Sequence, residues 1–179
     1  MNKLILIAIP SILTALSGIV QAQSNTVTFN GEVVATTCNP AVANGNYTVT
    51  LDQVAQSTLT SNGVGRYSAL SVPFSIQVLN CPAGVNSVGV VLDSDVHDAA
   101  TGNLSDMTIY GSNAVQIRIM DGTTAAQQIV VGATDPVTYV AVSNGAATVP
   151  MAVYYYVKDA TNVKVGKIRA VASYTLRIQ

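Results

Sequence analysis

The chain has 179 residues, of which only 9% are charged, and its formal net charge at neutral pH is −1. Ordinary soluble domains contain roughly 25% charged residues, so this chain has few charges as well as a small net charge. It therefore lacks the positive electrostatic field that attracts nucleic acid or anionic lipid, which excludes both as partners. His97 is the only histidine and Glu32 the only glutamate. Because the sequence shows no convincing Ser/His/Asp set and no pair of glutamates, we predict no enzyme and no cofactor.

The N-terminus has the pattern of a secretory signal peptide. A short start that ends in Lys3 precedes a mostly apolar run, residues 4–20, and Ala22 closes a small-residue cleavage site. A retained membrane anchor is the alternative, but Pro10 interrupts the run and its flanks suit export better than spanning. We predict a signal peptide at residues 1–22 and export from the cytoplasm.

The next segment, residues 23–34, is an amphipathic strand with nothing local to pair with. Alternate residues of a strand lie on opposite faces, so its apolar face must be buried and its backbone groups must be paired. The segment therefore has to join a sheet elsewhere, as an N-terminal extension of the domain. Its inward face consists of Val27, Phe29, Gly31 and Val33 with Asn25 outermost, and its outward face of Thr26, Thr28, Asn30 and Glu32.

Short strands separated by turn residues fill the rest of the chain, residues 35–179. Apart from the signal run, no apolar pattern of period 3.6 is long enough to predict a helix. Short strands at regular spacing in one exported domain favour an antiparallel β-sandwich. The predicted strands are 47–51, 72–78, 88–92, 115–119, 128–131, 138–142, 149–157 and 167–178, with turns at 44–45, 61–63, 121–122 and 144–145 and a polar surface loop at 93–103.

Cys38 and Cys81 are the only cysteines. Export to an oxidising compartment favours a disulfide between them, with two buried free thiols as the alternative. A metal site is disfavoured because the chain holds a single histidine.

The last strand belongs to the core and also ends the chain, so that nothing downstream in sequence can lie beside it. Lys167, Arg169 and Arg177 share its outward face with Ser173 and Thr175. Its inward face consists of Ile168, Ala170, Ala172, Tyr174, Leu176 and Ile178.

These segments together resemble the pilin subunits of Gram-negative fimbriae assembled by the chaperone–usher route, and among those the major subunits of type 1 fimbriae. The matching motifs are V-T-F-N-G-E-V-V around Gly31, F-S-I-Q-V-L-N-C ending in Cys81, V-Q-I-R-I-M-D, V-P-M-A-V-Y-Y-Y, and the glycine fourteen positions from the end, Gly166. The resemblance covers essentially the whole mature chain.

The resemblance implies an all-β, incomplete immunoglobulin-like sandwich that lacks its seventh strand and is completed by donor-strand exchange, an established form of strand addition. It implies that a periplasmic chaperone first fills the open groove, and that the leader of a neighbouring pilin subunit replaces it at an outer-membrane usher. The implied donor residues are Asn25, Val27, Phe29, Gly31 and Val33. The implied acceptor and chaperone-binding residues are Gly166, Ile168, Ala170, Ala172, Tyr174, Leu176, Ile178 and Gln179, the last through its carboxylate.

The expected function is therefore that of a structural subunit of an extracellular fimbria, which polymerises into the shaft and supports cell adhesion. The alternatives are a minor adaptor subunit near the tip and a secreted carbohydrate-binding β-sandwich. Two local patterns offer other functions. The loop around His97 could be a metal site but is more typical of a solvated loop. Residues 154–156, three tyrosines, could stack on sugars, but strand geometry predicts Tyr155 in the core and its two neighbours outside.

Overall fold

The computed structural model describes residues 37–42, 45–108, 113–123 and 126–179. The predicted signal peptide and the predicted donor residues lie outside the described residues. Within the described part of the chain, no helix has the length and apolarity needed to cross a membrane.

Two antiparallel sheets form the domain, as the alternation of apolar and polar residues predicts. The larger sheet has the strand order β1-β2-β8-β6-β5-β4 and the smaller one β7-β3-β9. The elements are β1 (Asn39–Pro40), α1 (Gln56–Asn62), β2 (Tyr67–Leu79), β3 (Ser87–Asp93), β4 (His97–Asp98), β5 (Asn103–Leu104), β6 (Val115–Asp121), β7 (Tyr139–Ala141), β8 (Ala147–Val157) and β9 (Ser173–Ile178).

The core lies between the inward faces of these sheets. Strand β8 is central to the larger sheet, pairing with β2 on one side and β6 on the other. Its Met151 is only 1% exposed. Buried residues of β2, β3 and β6 pack into the same cluster at period two, which confirms the predicted inward faces of these strands. They include Ile76, Val78, Val88, Val90, Leu92, Ile117 and Ile119.

The three consecutive tyrosines divide between the two faces of β8 as predicted. Tyr155 packs against the core cluster. Tyr154 lies edge to face with Tyr67, with ring centroids 5.0 Å apart, and the Arg118 guanidinium stacks 4.1 Å from the centroid of Tyr156. Tyr154 is therefore engaged with Tyr67, and Tyr156 is covered by Arg118 and only 9% exposed, in an arrangement unlike a flat sugar platform.

Two differences from the predicted elements are local. Helix α1 was not predicted, because it has only seven residues and buries only Leu59, which leaves no apolar period to recognise. The predicted strand at 128–131 is limited to a single bridge between Met120 and Gln128.

The predicted turn at Asn144–Gly145 is confirmed, with φ values of 51° and 72°. Positive φ at both positions is what an Asn-Gly hairpin turn supplies at low cost.

The loop predicted at 93–103 contains the short strand β4 and a salt bridge. Asp98 pairs with Lys158 and accepts a hydrogen bond from Gln116 Nε2 at 2.8 Å. This is the only ion pair among the described residues. The bond from Lys158, supported by that from Gln116, lowers the pKa of Asp98 to about 2. The carboxylate thus ties the loop to the end of β8.

We expect Asp98→Asn to lower the free energy of unfolding by about 1 kcal/mol at pH 7, a modest value because Lys158 is partly solvated. The folded pKa of about 2 lies below the ordinary value of 3.8, so ionisation favours the folded state. The stabilisation is complete above about pH 4 and is lost as the pH falls toward 2. Urea denaturation at several pH values should therefore show the difference from wild type shrinking with acidity. Asp95→Asn, in the same loop but exposed, is the control; an equal loss there would contradict the assignment.

Candidate functional site

A long groove runs along the side of the sandwich, with a cavity volume of about 1260 Å³. We call residues 45–51 its first wall and residues 168–176 its second wall. Its floor is the interior of the sandwich, formed by Phe74, Ile76, Leu92, Leu104, Ile117, Ile119, Val153 and Tyr155. The groove therefore opens directly onto the hydrophobic core.

Both walls turn alternate apolar side chains toward this opening. In the first wall Tyr47, Val49 and Leu51 are half-buried, while Thr48 and Thr50 are exposed. In the second wall every even-numbered residue is half-buried and every odd-numbered residue is exposed. The half-buried set packs against the core but is not closed over by any described residue. It comprises Ile168, Ala170, Ala172, Tyr174 and Leu176, with Ile178 just beyond, which are the predicted acceptor residues.

The second wall presents a free backbone edge to the groove. Among the strands that the structure describes, β9 lies at the edge of its sheet and pairs only with β3. Gln179 and Ser87 exchange two hydrogen bonds, of 2.9 and 3.0 Å, so odd-numbered residues of β9 point their backbone groups at β3. The even-numbered residues consequently point theirs into the groove, where no described residue pairs with them. Free N–H and C=O groups of this kind are a template for another strand.

The second wall enters the sheet later than predicted. The sequence predicted a strand from 167 to 178, but the ladder with β3 begins at Ser173. Before that point the backbone is held from its outer side by the loop that follows β5. The Arg169 carbonyl accepts from Met107 N at 2.8 Å, and Arg169 N donates to Asp106 Oδ1 at 3.1 Å. These bonds continue the same alternation, so Ala170 and Ala172 also face the groove with their backbone groups.

The first wall also lacks a ladder. It was predicted as a strand, yet residues 46–51 belong to no strand of either sheet. At one end it is anchored by Tyr47, whose hydroxyl donates to the carbonyl of Gln77 at 3.2 Å and accepts from its N–H at 3.1 Å. The Gln77 carbonyl also accepts from Ala41 N at 2.8 Å, so the tyrosine hydroxyl takes the place of a backbone partner only for the Gln77 N–H. The predicted alternation is present, but its partner is not among the described residues.

The two ends of the groove differ in character. At one end Tyr47 and Tyr174 meet edge to face, with ring centroids 5.9 Å apart. Burial, with a contribution from Tyr47, raises the pKa of Tyr174, so its hydroxyl is neutral at pH 7. At the other end the Tyr155 hydroxyl donates to the Asp52 carbonyl at 3.0 Å, and Tyr155 and Ile168 both pack against a cluster that includes Val157. The Tyr174 hydroxyl at the first end has no hydrogen-bond partner among the described residues, whereas the Tyr155 hydroxyl at the second end is already engaged.

The predicted disulfide is present and lies at the start of the first wall. Cys38 and Cys81, separated by 43 positions, are bonded, and Cys38 lines the groove. The bond ties the entry to the first wall to the chain just after β2.

The remaining predicted residues flank the second wall. The terminal carbonyl of Gln179 accepts from Asn86 N at 2.6 Å and Ser87 N at 3.0 Å. Gly166 is exposed, and a Cβ there would meet nothing within 4 Å, so the structure gives no steric reason for glycine. The five predicted donor residues lie outside the described residues.

Sequence reasoning missed the floor and the charged rim of this site. The floor residues other than Leu104 belong to predicted strands, but nothing in the sequence marks which of them are uncovered. Arg169 was placed on the outward face, and the structure shows that it lines the groove. The sequence indicates this position only through the neighbours of Arg169, Ile168 and Ala170, which are inward residues of the last strand.

Known fimbrial proteins match this chain over most of its length. The family model described as Fimbrial protein matches residues 27–179. The chain is 31% identical over 165 residues to the F17 fimbrial protein of Escherichia coli, which covers 88% of this chain and 89% of that protein. It is 28% identical over 134 residues to the fimbrial subunit ElfA of Escherichia coli strain K12, which covers 70% of this chain and 74% of that subunit.

Comparison with solved structures establishes the fold. The P pilus rod subunit PapA superposes with a TM-score of 0.61 at 16% identity, over 79% of this chain and 99% of that one. A subunit from a chaperone–usher pilus, in a structure that explains rod uncoiling, gives a TM-score of 0.61 at 18% identity, over 91% of this chain and all of that one. The predicted immunoglobulin-like sandwich of pilin subunits is therefore confirmed.

Proposed function

Because this chain belongs to the fimbrial protein family, we propose that its groove receives residues 25–33 of another subunit, and that the subunits polymerise by donor-strand exchange. The chain is a structural subunit of an extracellular pilus, exported through the periplasm, and it assembles with other pilin subunits. It is not an enzyme. Strand insertion is the finer mechanism that we assign to the groove.

The observation that carries this proposal is the combination of an open core with a free backbone edge. The second wall offers apolar side chains and unpaired N–H and C=O groups on the same side, which is what an added strand needs. The leader has the complementary properties, since Val27, Phe29 and Val33 require burial. At about 1.5 to 3 kcal/mol for each side chain, they contribute roughly 5 to 9 kcal/mol before any hydrogen bond is counted.

Repetition of this contact explains a filament. The leader and the groove are different surfaces of the same chain, so each contact is heterologous, and a contact of that kind that does not close extends without limit. The core of each subunit is then completed by its neighbour.

A periplasmic chaperone and an outer-membrane usher belong to the same proposal. An exported subunit with an open core would aggregate unless another protein covered the groove until the leader arrived. The chaperone is expected to occupy the second wall and to contact the carboxylate of Gln179, and the usher to be the place of exchange.

Deletion of residues 23–32 tests the mechanism in cells that assemble this fimbria. We expect the deleted chain to be exported but absent from the ladder of heat- and detergent-resistant oligomers that the wild-type chain forms. The control replaces Thr26 and Thr28, on the outward face, by serine and should retain the ladder. A full ladder from the deleted chain would overturn strand donation by the leader.

A further inference from the structure

The groove and the leader each carry one charged side chain, and the two are opposite in sign. Among the described residues that line the groove, Arg169 is the only charged one. Within residues 23–34, Glu32 is the only charged one. In a chain with so few charges, this pairing is a constraint on how the two surfaces meet.

Arg169 is available for a partner from another subunit. It is exposed, and its guanidinium forms no salt bridge with the described residues. The Asp106 carboxylate accepts hydrogen bonds from the backbone N–H of Arg169 and from the N–H and hydroxyl of Thr108. Asp106 therefore fixes the position of the Arg169 backbone and leaves its cation on the rim.

The inward positions of the two strands match in number, which limits the registers. The donor face of the leader has five, from residue 25 to 33, and five inward residues of the last strand line the groove, from Ile168 to Leu176, whereas the sixth, Ile178, lies beyond it. Full overlap allows one antiparallel and one parallel arrangement. A shift by a single residue would turn the polar face of the leader into the core.

The antiparallel arrangement places Glu32 directly beside Arg169. It also places Thr28 beside Ser173, and Thr26 beside Thr175. Opposite charges and Thr–Thr or Thr–Ser pairs are favourable cross-strand neighbours, with Cβ atoms about 5 Å apart. The parallel arrangement instead places Glu32 beside Thr175 and leaves Arg169 beside Thr26, so neither charge is compensated.

The one polar residue of the donor face favours the same direction. In the antiparallel arrangement Asn25 lies at the Leu176 end, where Tyr47 and Tyr174 bring their hydroxyl groups. In the parallel arrangement it would lie beside Ile168, where the Tyr155 hydroxyl already donates to the Asp52 carbonyl. A buried amide is costly without a hydrogen-bond partner, so the tyrosine end suits it better.

We infer that Glu32 of one subunit forms an ion pair with Arg169 of the subunit whose groove it occupies. The pair selects the antiparallel direction and the register in which Gly31 lies beside Ala170. This inference rests on the proposed strand exchange and specifies which residues determine its direction and register.

Charge reversal in the full-length chain tests the pair. Glu32→Arg and Arg169→Glu should each raise the rate at which purified filaments dissociate in detergent by about 2- to 30-fold, since each replaces an attraction by a repulsion on the rim. The double variant E32R/R169E restores opposite charges and should return the rate to within about twofold of wild type. The control double variant E32R/R177E alters the exposed arginine at the other end of the last strand and should dissociate as fast as E32R alone.

The outcomes separate this inference from the proposed function. Rescue by E32R/R177E, or rates for E32R/R169E no better than for the single variants, would overturn the pair while filaments still formed by strand exchange. A ladder that survives deletion of residues 23–32 would instead overturn the exchange itself.

Discussion

Replacing Ala172 by phenylalanine should stop filament growth while leaving the subunit folded. Ala172 lies in the middle of the second wall with its side chain toward the groove, between Ala170 and Tyr174. A phenyl ring there would fill the space that an inserted strand needs, and in the inferred register it would clash with Phe29. Because the ring would enter an open groove and not a packed core, we expect the free energy of unfolding to change by less than about 1 kcal/mol.

The measurement compares oligomer ladders and urea denaturation of the purified subunit. We expect oligomers to fall at least about tenfold, because overpacking would oppose most of the burial that drives insertion. Thr175→Phe is the matched control, since Thr175 follows Ala172 by three residues, is exposed on the outward face and is not among the residues that line the groove. Ala172→Phe filaments of ordinary length would show that subunits join by another surface.

The sandwich could be predicted from the sequence because its strands obey a period of two. In β8, and in β2 between Val72 and Val78, alternate apolar positions face the core, and turn residues such as Asn144 mark where the chain reverses. Helix α1 has no such period and could not be predicted from the sequence. Its seven residues contribute one buried side chain, so its conformation is determined by packing against β2 and β8 and not by a pattern of its own.

The groove could be predicted only in part, since it is a relation between segments far apart in sequence. The alternation at 47–51 and at 168–178 marks two half-buried edges. Only the fold shows that the two flank one opening, and that Tyr155 spans the floor at one end to reach Asp52. The late start of β9, at Ser173, also depends on a segment that is distant in sequence. Strand β3 ends at Asp93, so Ala170 and Ala172 have no strand beside them on that side either.

The pairing of Arg169 with Glu32 could be inferred only from the sequence and the fold together. Arg169 and Glu32 are both outward residues of amphipathic strands, and in the sequence alone they are ordinary solvent-facing groups. Their significance arises when the five inward positions of each strand are aligned, because alignment converts two distant single charges into neighbours. A groove with several charges would leave the register undetermined by this argument.

The disulfide should be the other feature with a large effect, and it concerns the first wall. We expect the double variant C38S/C81S to lose about 4 kcal/mol of unfolding free energy, because the bond closes a loop across a separation of 43 residues. Residues 46–51 have no ladder, so without this bond the entry to the wall is held mainly by the two-residue pairing of β1 with β2 and by Tyr47.

The loss of the disulfide should reach assembly as well as stability, since Cys38 lines the groove. Urea denaturation measures the first effect, and the oligomer ladder of C38S/C81S measures the second. Tyr47→Phe is the matched control for the wall: it keeps the disulfide and the ring but removes the hydroxyl bonds to Gln77, for an expected loss of only about 1 kcal/mol. If C38S/C81S proved as stable as Tyr47→Phe, the covalent tie would not be what holds the first wall in place, and the short pairing of β1 with β2 would have to suffice.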